Sequence, residues 1–464
     1  MDNKLIRFRC YDEKEIKSKE IYEHLFDKNK NVQERYLESS IQKFISLNES
    51  ICDFLGINIK INNSGNNLSI KFISNNYIGA IPIKMPYDGI AHKDIQVIPR
   101  FGEIENSDTA ISNLTQLISK LEYSISPEYL EGVKLVLPLQ LRPPMYYEAV
   151  KYIDLFEKAQ KNHWVKFEVV KGNHNYPKSS TNWAKYGQTV SDPRKALIFP
   201  SSDSILSLNH SEWRNLIYVF EIAKSYILQQ NIPGSIRYNY QNKISILQNK
   251  IYPLKALSTD SMSIHAIDPQ VIKEAKYQAN FLLQKSSNSC MAWRIDMAEL
   301  FERYIQHIIA KSLQGINGLM KPNEKIQGSK CPSWGLRYLE PDIIINLNSN
   351  IYMADVKYKS HFLNLGDNSE KLKEEHRADL HQLLAYCSFT PNTDKTGFIF
   401  YPSSQKVGCK KVSYQINGIK NTVYLFGIPF GIDKINESID KLKLFFIGLL
   451  NNNLNEFFEE IKKS

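Results

Sequence analysis

The stretch Pro341–Lys359, PDIIINLNSNIYMADVKYK, can fold in few ways. Two Ile-rich runs flank a short Asn/Ser segment, the pattern of a β-hairpin. Side chains alternate faces along a strand, so Asp355 and Lys357 share a face with Ile351 and Met353, while Tyr352, Ala354 and Val356 line the other. A turn centred on Leu347 to Ser349, or one residue later, brings Asp342 nearly opposite Asp355. Cross-strand neighbours lie about 5 Å apart, so the two carboxylates converge. Close carboxylates repel unless a cation stands between them. Oxygen donors on one or two carboxylates, with places left for water and phosphate, describe a Mg²⁺ site. Lys357 then stands where it can position an attacking water and offset negative charge, as phosphodiester hydrolysis requires. The plainer reading of the same residues is a hairpin with one solvated face.

The flanks extend the pattern. AWRIDMAELFERYIQHIIAKSL has apolar residues at 297, 301, 304, 305, 308 and 309, a helical stripe that precedes the hairpin. SEKLKEEHRADLHQLLAYCSF reads as a second helix after it. Strands TGFIFYP, KVSYQI and TVYLFGIPF follow, and KLKLFFIGLLNNNLNEFF closes the chain as an amphipathic helix. This order predicts a mixed α/β domain over residues 288–464.

At 464 residues the chain is too long for one ordinary core, and it reads as α+β and multidomain. Residues 1–130 combine the segment KNVQERYLESSIQKFISLNESICDFLG, read as helical, with strands LSIKFI, YIGAIPIK and DIQVIPRFG. The middle span, 131–287, opens near the prolines Pro143 and Pro144. It runs through the polar, aromatic-studded loop KGNHNYPKSSTNWAKYGQTVSDPRK to helices at SEWRNLIYVFEIAKSYILQQ and over about 265–287. In that loop Trp183, Lys185 and Tyr186 either touch nucleic acid or, for Trp183, anchor the loop on the core. His174 has no second histidine at the spacing of an HNH nuclease.

Six cysteines are scattered without CxxC spacing, which predicts reduced structural thiols and no zinc. No apolar run spans a membrane, and the charged N-terminus MDNKLIRFRCYDEKEIKSKE lacks the core of a secretory signal, so a cytoplasmic address is expected. The formal charge of +9 suits a phosphate-bearing partner but does not demand one, since an Ile-, Asn- and Lys-rich composition raises charge by itself.

Pro341-Asp342, a spacer, then Asp355-Val356-Lys357 resembles the PD-(D/E)XK nuclease signature. Glu302 in MAELFERYIQ matches the acidic residue that such nucleases often bring from their first core helix. Gln382 and Tyr386, in QLLAY, resemble the QxxxY element of RecB-type nucleases and share one helix face. The succession LFE, PD, DVK, HQLLAY and IFYP is similar to McrC, the nuclease subunit of McrBC restriction systems, including LlaJI-like relatives. YIGAIPIK followed by IQVIPRFG resembles the N-terminal region of such subunits, and GNHNYPKSSTNWAKY their central loop.

The resemblance implies a restriction-endonuclease-like C-terminal domain, a mixed sheet flanked by helices. It implies Mg²⁺, with Mn²⁺ as a substitute, held by Asp342, Asp355 and Glu302, and Lys357 as the catalytic residue that positions the attacking water. Gln382 and Tyr386 would face the site or the DNA. It also implies double-stranded DNA as substrate and a McrB-like AAA+ GTPase or ATPase as partner, docked by the N-terminal domain. This chain has no GxxxxGK[ST] loop, so it is not that motor. Two other readings stand beside it: a standalone sequence-specific restriction enzyme, and a non-catalytic DNA-binding adaptor that keeps the nuclease fold. Lys359 shares the face of Lys357 and either touches phosphate or ends the strand in solvent; His376 and His381 are expected as exposed helix histidines.

Overall fold

The computed structural model describes residues 5–17, 37–64, 67–100, 127–137, 146–229, 234–286, 290–328, 337–359, 370–391, 394–403, 406–416 and 419–463, with isolated positions between 113 and 125 and at 141 and 232. Pro143, Pro144 and the start of the first expected helix lie outside the described residues. The chain divides into two compact units, one of Met1–Pro143 with Cys290–Ser464 and one of Pro144–Ser289. The sequence reading has three spans; by contacts, the first and third make one unit, for a reason visible in its strand pairing.

The N-terminal part of unit 1 runs β1 (Leu5–Arg9), β2 (Glu13–Lys17), α1 (Leu37–Phe54), β3 (Ile57–Ser64), β4 (Asn67–Ser74), β5 (Tyr77–Lys84), β6 (Ala91–Ile98) and β7 (Glu128–Lys134). Strands β2, β4 and β3 form a small antiparallel sheet. In β5, YIGAIPIK, six consecutive residues are buried, so this strand is covered on both faces rather than alternating.

Unit 2 holds helices α2 (Tyr146–Lys161), α4 (Ser211–Ile227), α5 (Gly234–Ile251) and α6 (Gln270–Ser286), and a hairpin of β8 (Lys166–His174) and β9 (Phe199–Ser207) bridged by the short α3 (Trp183–Thr189). The segment read as a loop, residues 171–195, thus starts as the end of β8, Lys171–His174, and carries α3; the Lys, Gly, Asn and His there hide the strand's β character. Phe156, Trp213 and Phe220 stack in the helical core. Lys276 is fully buried there and is paired with Asp268 at 2.6 Å and with Glu212.

Unit 1 resumes with β10 (Met291–Asp296), α7 (Met297–Ser312), β11 (Gly318–Pro322), β12 (Ile326–Gln327), β13 (Tyr338–Leu339), β14 (Ile343–Leu347), β15 (Asn350–Val356), α8 (Glu370–Cys387), β16 (Lys395–Ser403), β17 (Gly408–Ile416), β18 (Ile419–Pro429), α9 (Ile435–Leu450) and α10 (Asn455–Lys463). Strand β10 inserts between β5 and β7 in a five-stranded sheet, order β1-β6-β5-β10-β7. That pairing ties the first and last thirds of the chain together. Asp296 ends β10 and caps α7, accepting from Ala298 N and from Asn76 Nδ2, each at 2.7 Å.

The remaining strands form a mixed six-stranded sheet, order β11-β14-β15-β16-β18-β17, parallel at β15-β16-β18 and antiparallel elsewhere. Helix α8 covers one face, packing Leu383, Tyr386 and Cys387 against Ile344, Met353, Ile399, Val423 and Leu425. On the other face Phe398 and Phe426 meet Phe445 of α9, and α7 packs beside α9. The C-terminal part is thus a mixed α/β layer structure. Five described cysteines are free thiols; Cys331 lies outside the described residues. No described helix is long and apolar enough to cross a membrane.

The β5–β10 pairing depends on Gly79, which has φ 150° and lies opposite Arg294. A Cβ there would run into the Trp293 carbonyl oxygen. Gly79→Ala should cost more than about 2 kcal/mol in chemical denaturation, beyond the usual mutational mean, because backbone strain and a backbone clash add. An unchanged denaturation midpoint would remove that pairing as the seam of unit 1.

Candidate active site

Strands β14 and β15 join through a two-residue turn, with Leu347 paired to Asn350. Asn348 adopts a left-handed φ of 52°, which asparagine tolerates better than most residues. The register continues through Ile343↔Ala354, so Asp342 stands one step beyond, opposite Asp355. Asp342 Oδ2 accepts from Val356 N at 2.6 Å, fixing the carboxylate at the strand end.

Asp355 is 1% exposed and faces α8 with Met353. Its Oδ2 pairs with Lys357 Nζ at 2.7 Å, while Oδ1 is buried with no hydrogen-bond partner. Burial, reinforced by the Asp355 charge, pushes the Asp342 carboxyl up to about 8. Burial likewise raises Asp355, against the lowering pull of Lys357. Burial disfavours the Lys357 cation, yet Asp355 outweighs it and holds the ammonium above its usual range. Two carboxylates crowded in a dry site, one of them with a vacant buried oxygen, suit a hard divalent cation.

Helix α8 completes the site from the covering face. Lys357 Nζ donates to Gln382 Oε1 at 2.9 Å, and Gln382 Nε2 donates to Tyr386 Oη at 3.0 Å. The i, i+4 pair of the sequence thus forms a short chain to the cation. Tyr386 Oη lies 3.4 Å from the Glu340 carbonyl, next to the Pro-Asp step. Asp379, one turn earlier, is 2% exposed; its Oδ1 accepts from Lys359 Nζ at 2.6 Å and lies 3.9 Å from Lys357 Nζ. Lys359 is therefore an ion-pair partner of Asp379 rather than a bare strand end.

Glu302 sits on α7, and its Oε1 accepts from Gln306 Nε2 at 2.9 Å and Asn323 Nδ2 at 3.0 Å. Asn323 N donates to the Asp342 carbonyl at 3.1 Å, so Glu302 reaches the site through the backbone of Asp342. Its charge adds to the upward push on Asp342. Among the described residues no three His, Cys, Asp or Glu side chains stand together as a metal cage, so the structure does not gather Glu302 with the two aspartates. Any further metal ligands would be water or substrate oxygens. His381 is exposed and His376 half-buried. In unit 2, His174 pairs with Asp203 at 3.2 Å and Trp183 is 57% exposed.

Sequence reasoning missed Asp379, Gln306 and Asn323. Asp379 lies three residues before Gln382 on a helix already flagged, and that spacing was a usable signal. Gln306 lies four residues after Glu302 on the same flagged helix, an equally usable spacing; nothing in the local sequence marks Asn323.

Residues 275–402 match the family described as "McrBC 5-methylcytosine restriction system component". Glu302, Asp342, Asp355, Lys357, Gln382 and Tyr386 all fall inside that span. No curated protein matches the chain. Among solved structures, a half-complex from a tetradecameric assembly of Thermococcus gammatolerans McrB AAA+ hexamers with bound McrC is similar at 13% identity, covering 94% of this chain and 98% of that one, with a TM-score of 0.44. The Thermococcus gammatolerans McrBC complex is similar at 12% identity over 67% of this chain and 88% of that one, with a TM-score of 0.28.

Two buried carboxylates held together should cost stability when no cation is present. Asp342→Asn keeps an acceptor for Val356 N and removes the repulsion. It should raise stability in EDTA by about 1 kcal/mol or more, read as a higher melting temperature. A lower melting temperature would mean that the two carboxylates do not oppose each other.

Proposed function

We propose that this chain, a McrC-like member of the McrBC family by its residues 275–402, is a Mg²⁺-dependent DNA endonuclease subunit of a McrBC-like restriction system. The observation that carries the proposal is the Asp342–Asp355 pair with Lys357 Nζ 2.7 Å from Asp355, within the family-matched span. Its C-terminal domain is read as a PD-(D/E)XK nuclease fold, on the mixed sheet that presents these three residues at one strand end.

Asp342 and Asp355 would hold the cation, with the partnerless Asp355 Oδ1 as its natural ligand. Mn²⁺ would substitute for Mg²⁺. A bound divalent cation supplies charge neutralisation at the scissile phosphate and polarises the water beside it. Lys357 keeps a fixed positive charge at the same place, donating toward the attacking water and the developing oxyanion. Gln382 orients that ammonium through its amide oxygen, Tyr386 orients Gln382, and Asp379 holds the helix-side charge balance. Glu302 supports the Asp342 segment through Asn323 and Gln306.

The family description names a component of a system, and this chain lacks a phosphate loop for nucleotide hydrolysis. Both support a McrB-like AAA+ GTPase or ATPase as working partner on double-stranded DNA in the cytoplasm, docked through the N-terminal part.

Asp355→Ala and Lys357→Ala should each reduce Mg²⁺-dependent cleavage about a thousandfold or more while the circular dichroism spectrum stays native, and EDTA should do the same to the wild type. Full cutting by both variants would sink the nuclease assignment. The partner is tested separately: efficient, site-specific cutting by the purified chain without nucleotide or motor would make it a standalone restriction enzyme. Retained folding without calorimetric Mg²⁺ binding would point to the non-catalytic adaptor.

A further inference from the structure

Three oxygens of different kinds surround the Lys357 ammonium. Asp355 Oδ2 lies 2.7 Å from Nζ, Gln382 Oε1 accepts from it at 2.9 Å, and Asp379 Oδ1 stands 3.9 Å away. Asp355 is also the residue that the nuclease reading gives to the metal. A divalent cation there offsets the charge that holds Lys357 and repels the ammonium beside it. Gln382 is uncharged and exposed, so it can direct Lys357 but cannot balance its charge. Asp379 is a carboxylate, is 2% exposed, and has no part in holding the metal.

The placement of Asp379 ties it to Lys357 by two routes. It lies three residues before Gln382 on α8, so both side chains leave one face of the helix towards the same lysine. Its Oδ1 also accepts from Lys359 Nζ at 2.6 Å, two residues past Lys357 in the chain. One buried oxygen therefore stands between two ammoniums, bonded to the outer one and within ion-pair reach of the inner one. The Lys359 side chain is 40% exposed, against 13% for Lys357, so the outer lysine closes the carboxylate off from solvent. A buried ion pair contributes little to stability, because desolvation offsets most of the attraction. Stability alone thus gives no reason to bury a carboxylate beside a second ammonium.

We infer that Asp379 is a positioning residue of the proposed nuclease: it is the second counter-ion of Lys357, keeping the ammonium in place when Asp355 is engaged by a divalent cation, and Lys359 tethers it. The inference rests on the nuclease reading for its purpose. It also makes Lys359 an internal tether rather than a phosphate contact.

The test uses the full chain and begins without DNA. In calorimetry with Mg²⁺, Asp379→Asn should weaken binding about tenfold, as expected of a residue that acts behind a metal ligand, because Lys357 and the cation then compete for Asp355. Removing the competitor should remove the loss: in a Lys357→Met background, Asp379→Asn should change Mg²⁺ affinity by about twofold at most. An equal loss in both backgrounds would overturn the role, since Asp379 would then act without Lys357. In cleavage at saturating Mg²⁺, Asp379→Asn should lower kcat about tenfold with an unchanged KM for DNA. Asp379→Glu keeps the charge on a longer stem and serves where the Asn variant does not fold. It should lower kcat about threefold, again with KM unchanged, and full kcat in that variant would overturn the role. Lys359→Gln, followed by anisotropy of a labelled duplex in EDTA, should leave the salt slope of DNA binding unchanged. A slope smaller by about 0.9 would make Lys359 a phosphate contact and remove the tether. A wild type that binds Mg²⁺ without cutting DNA loses the nuclease reading, and the binding cycle still decides Asp379. One that cuts, with an Asp379→Asn variant that cuts equally, loses the Asp379 role alone, and one that binds no Mg²⁺ loses both.

Discussion

Two carboxylates buried at one strand end constrain the C-terminal sheet more than any other contact. A buried charge is tolerated only when it is paired or hydrogen-bonded, and each neighbour of Asp342 and Asp355 answers that demand. Val356 N caps Asp342, and Lys357 pairs with Asp355. Gln382 and Asp379 then fix Lys357 from α8, whose apolar side is sealed on Ile344, Met353 and Ile399. The helix is thus held by its core contacts on one flank and by the charge network on the other. Asp355 Oδ1, buried without a hydrogen-bond partner among the described residues, is where the arrangement can accept a ligand.

How much of this was legible from sequence follows from the range of each signal. The hairpin register was, because period-two alternation and an Asn/Ser turn act within a few residues. The Gln382–Tyr386 pair was, because i, i+4 spacing is local to a helix. Strands β4, β5 and β6 and helices α4, α6 and α8 fall where the apolar patterns place them; α7 begins only after AWRID, which is strand β10, and the pattern read as one closing helix is broken at 451–454 into α9 and α10, where consecutive asparagines end the first helix. Hairpin β8/β9 was not, since Lys171, Gly172, Asn173 and His174 read as loop and only cross-strand pairing makes them strand. Glu302 was found by its motif and Gln306 lies one turn further on the same helix, but Asn323 meets it only through the return of β11 alongside β14. The place of β10 was also invisible, because which sheet a short apolar strand joins is decided by long-range contacts.

The position of Lys357 is over-determined from a side that no motif describes. The next residue, Tyr358, is buried among Phe301, Phe430 and Tyr11. Its carbonyl accepts from Tyr11 Oη at 2.7 Å, and its own hydroxyl lies 3.5 Å from Cys10 Sγ. Lys357 N meanwhile donates to the Phe400 carbonyl at 2.8 Å, extending the parallel ladder one step past β15. Strand alternation therefore throws Tyr358 into the core on the α7 side and Lys357 onto the α8 side, with the backbone between them bonded in both directions. An ammonium on a flexible four-carbon stem would otherwise be free to follow solvent. Here its backbone cannot shift without breaking the Tyr11 bond or the aromatic packing. The positive charge is thus held beside Asp355 in a fixed place, as preorganised electrostatic stabilisation in the proposed nuclease would require.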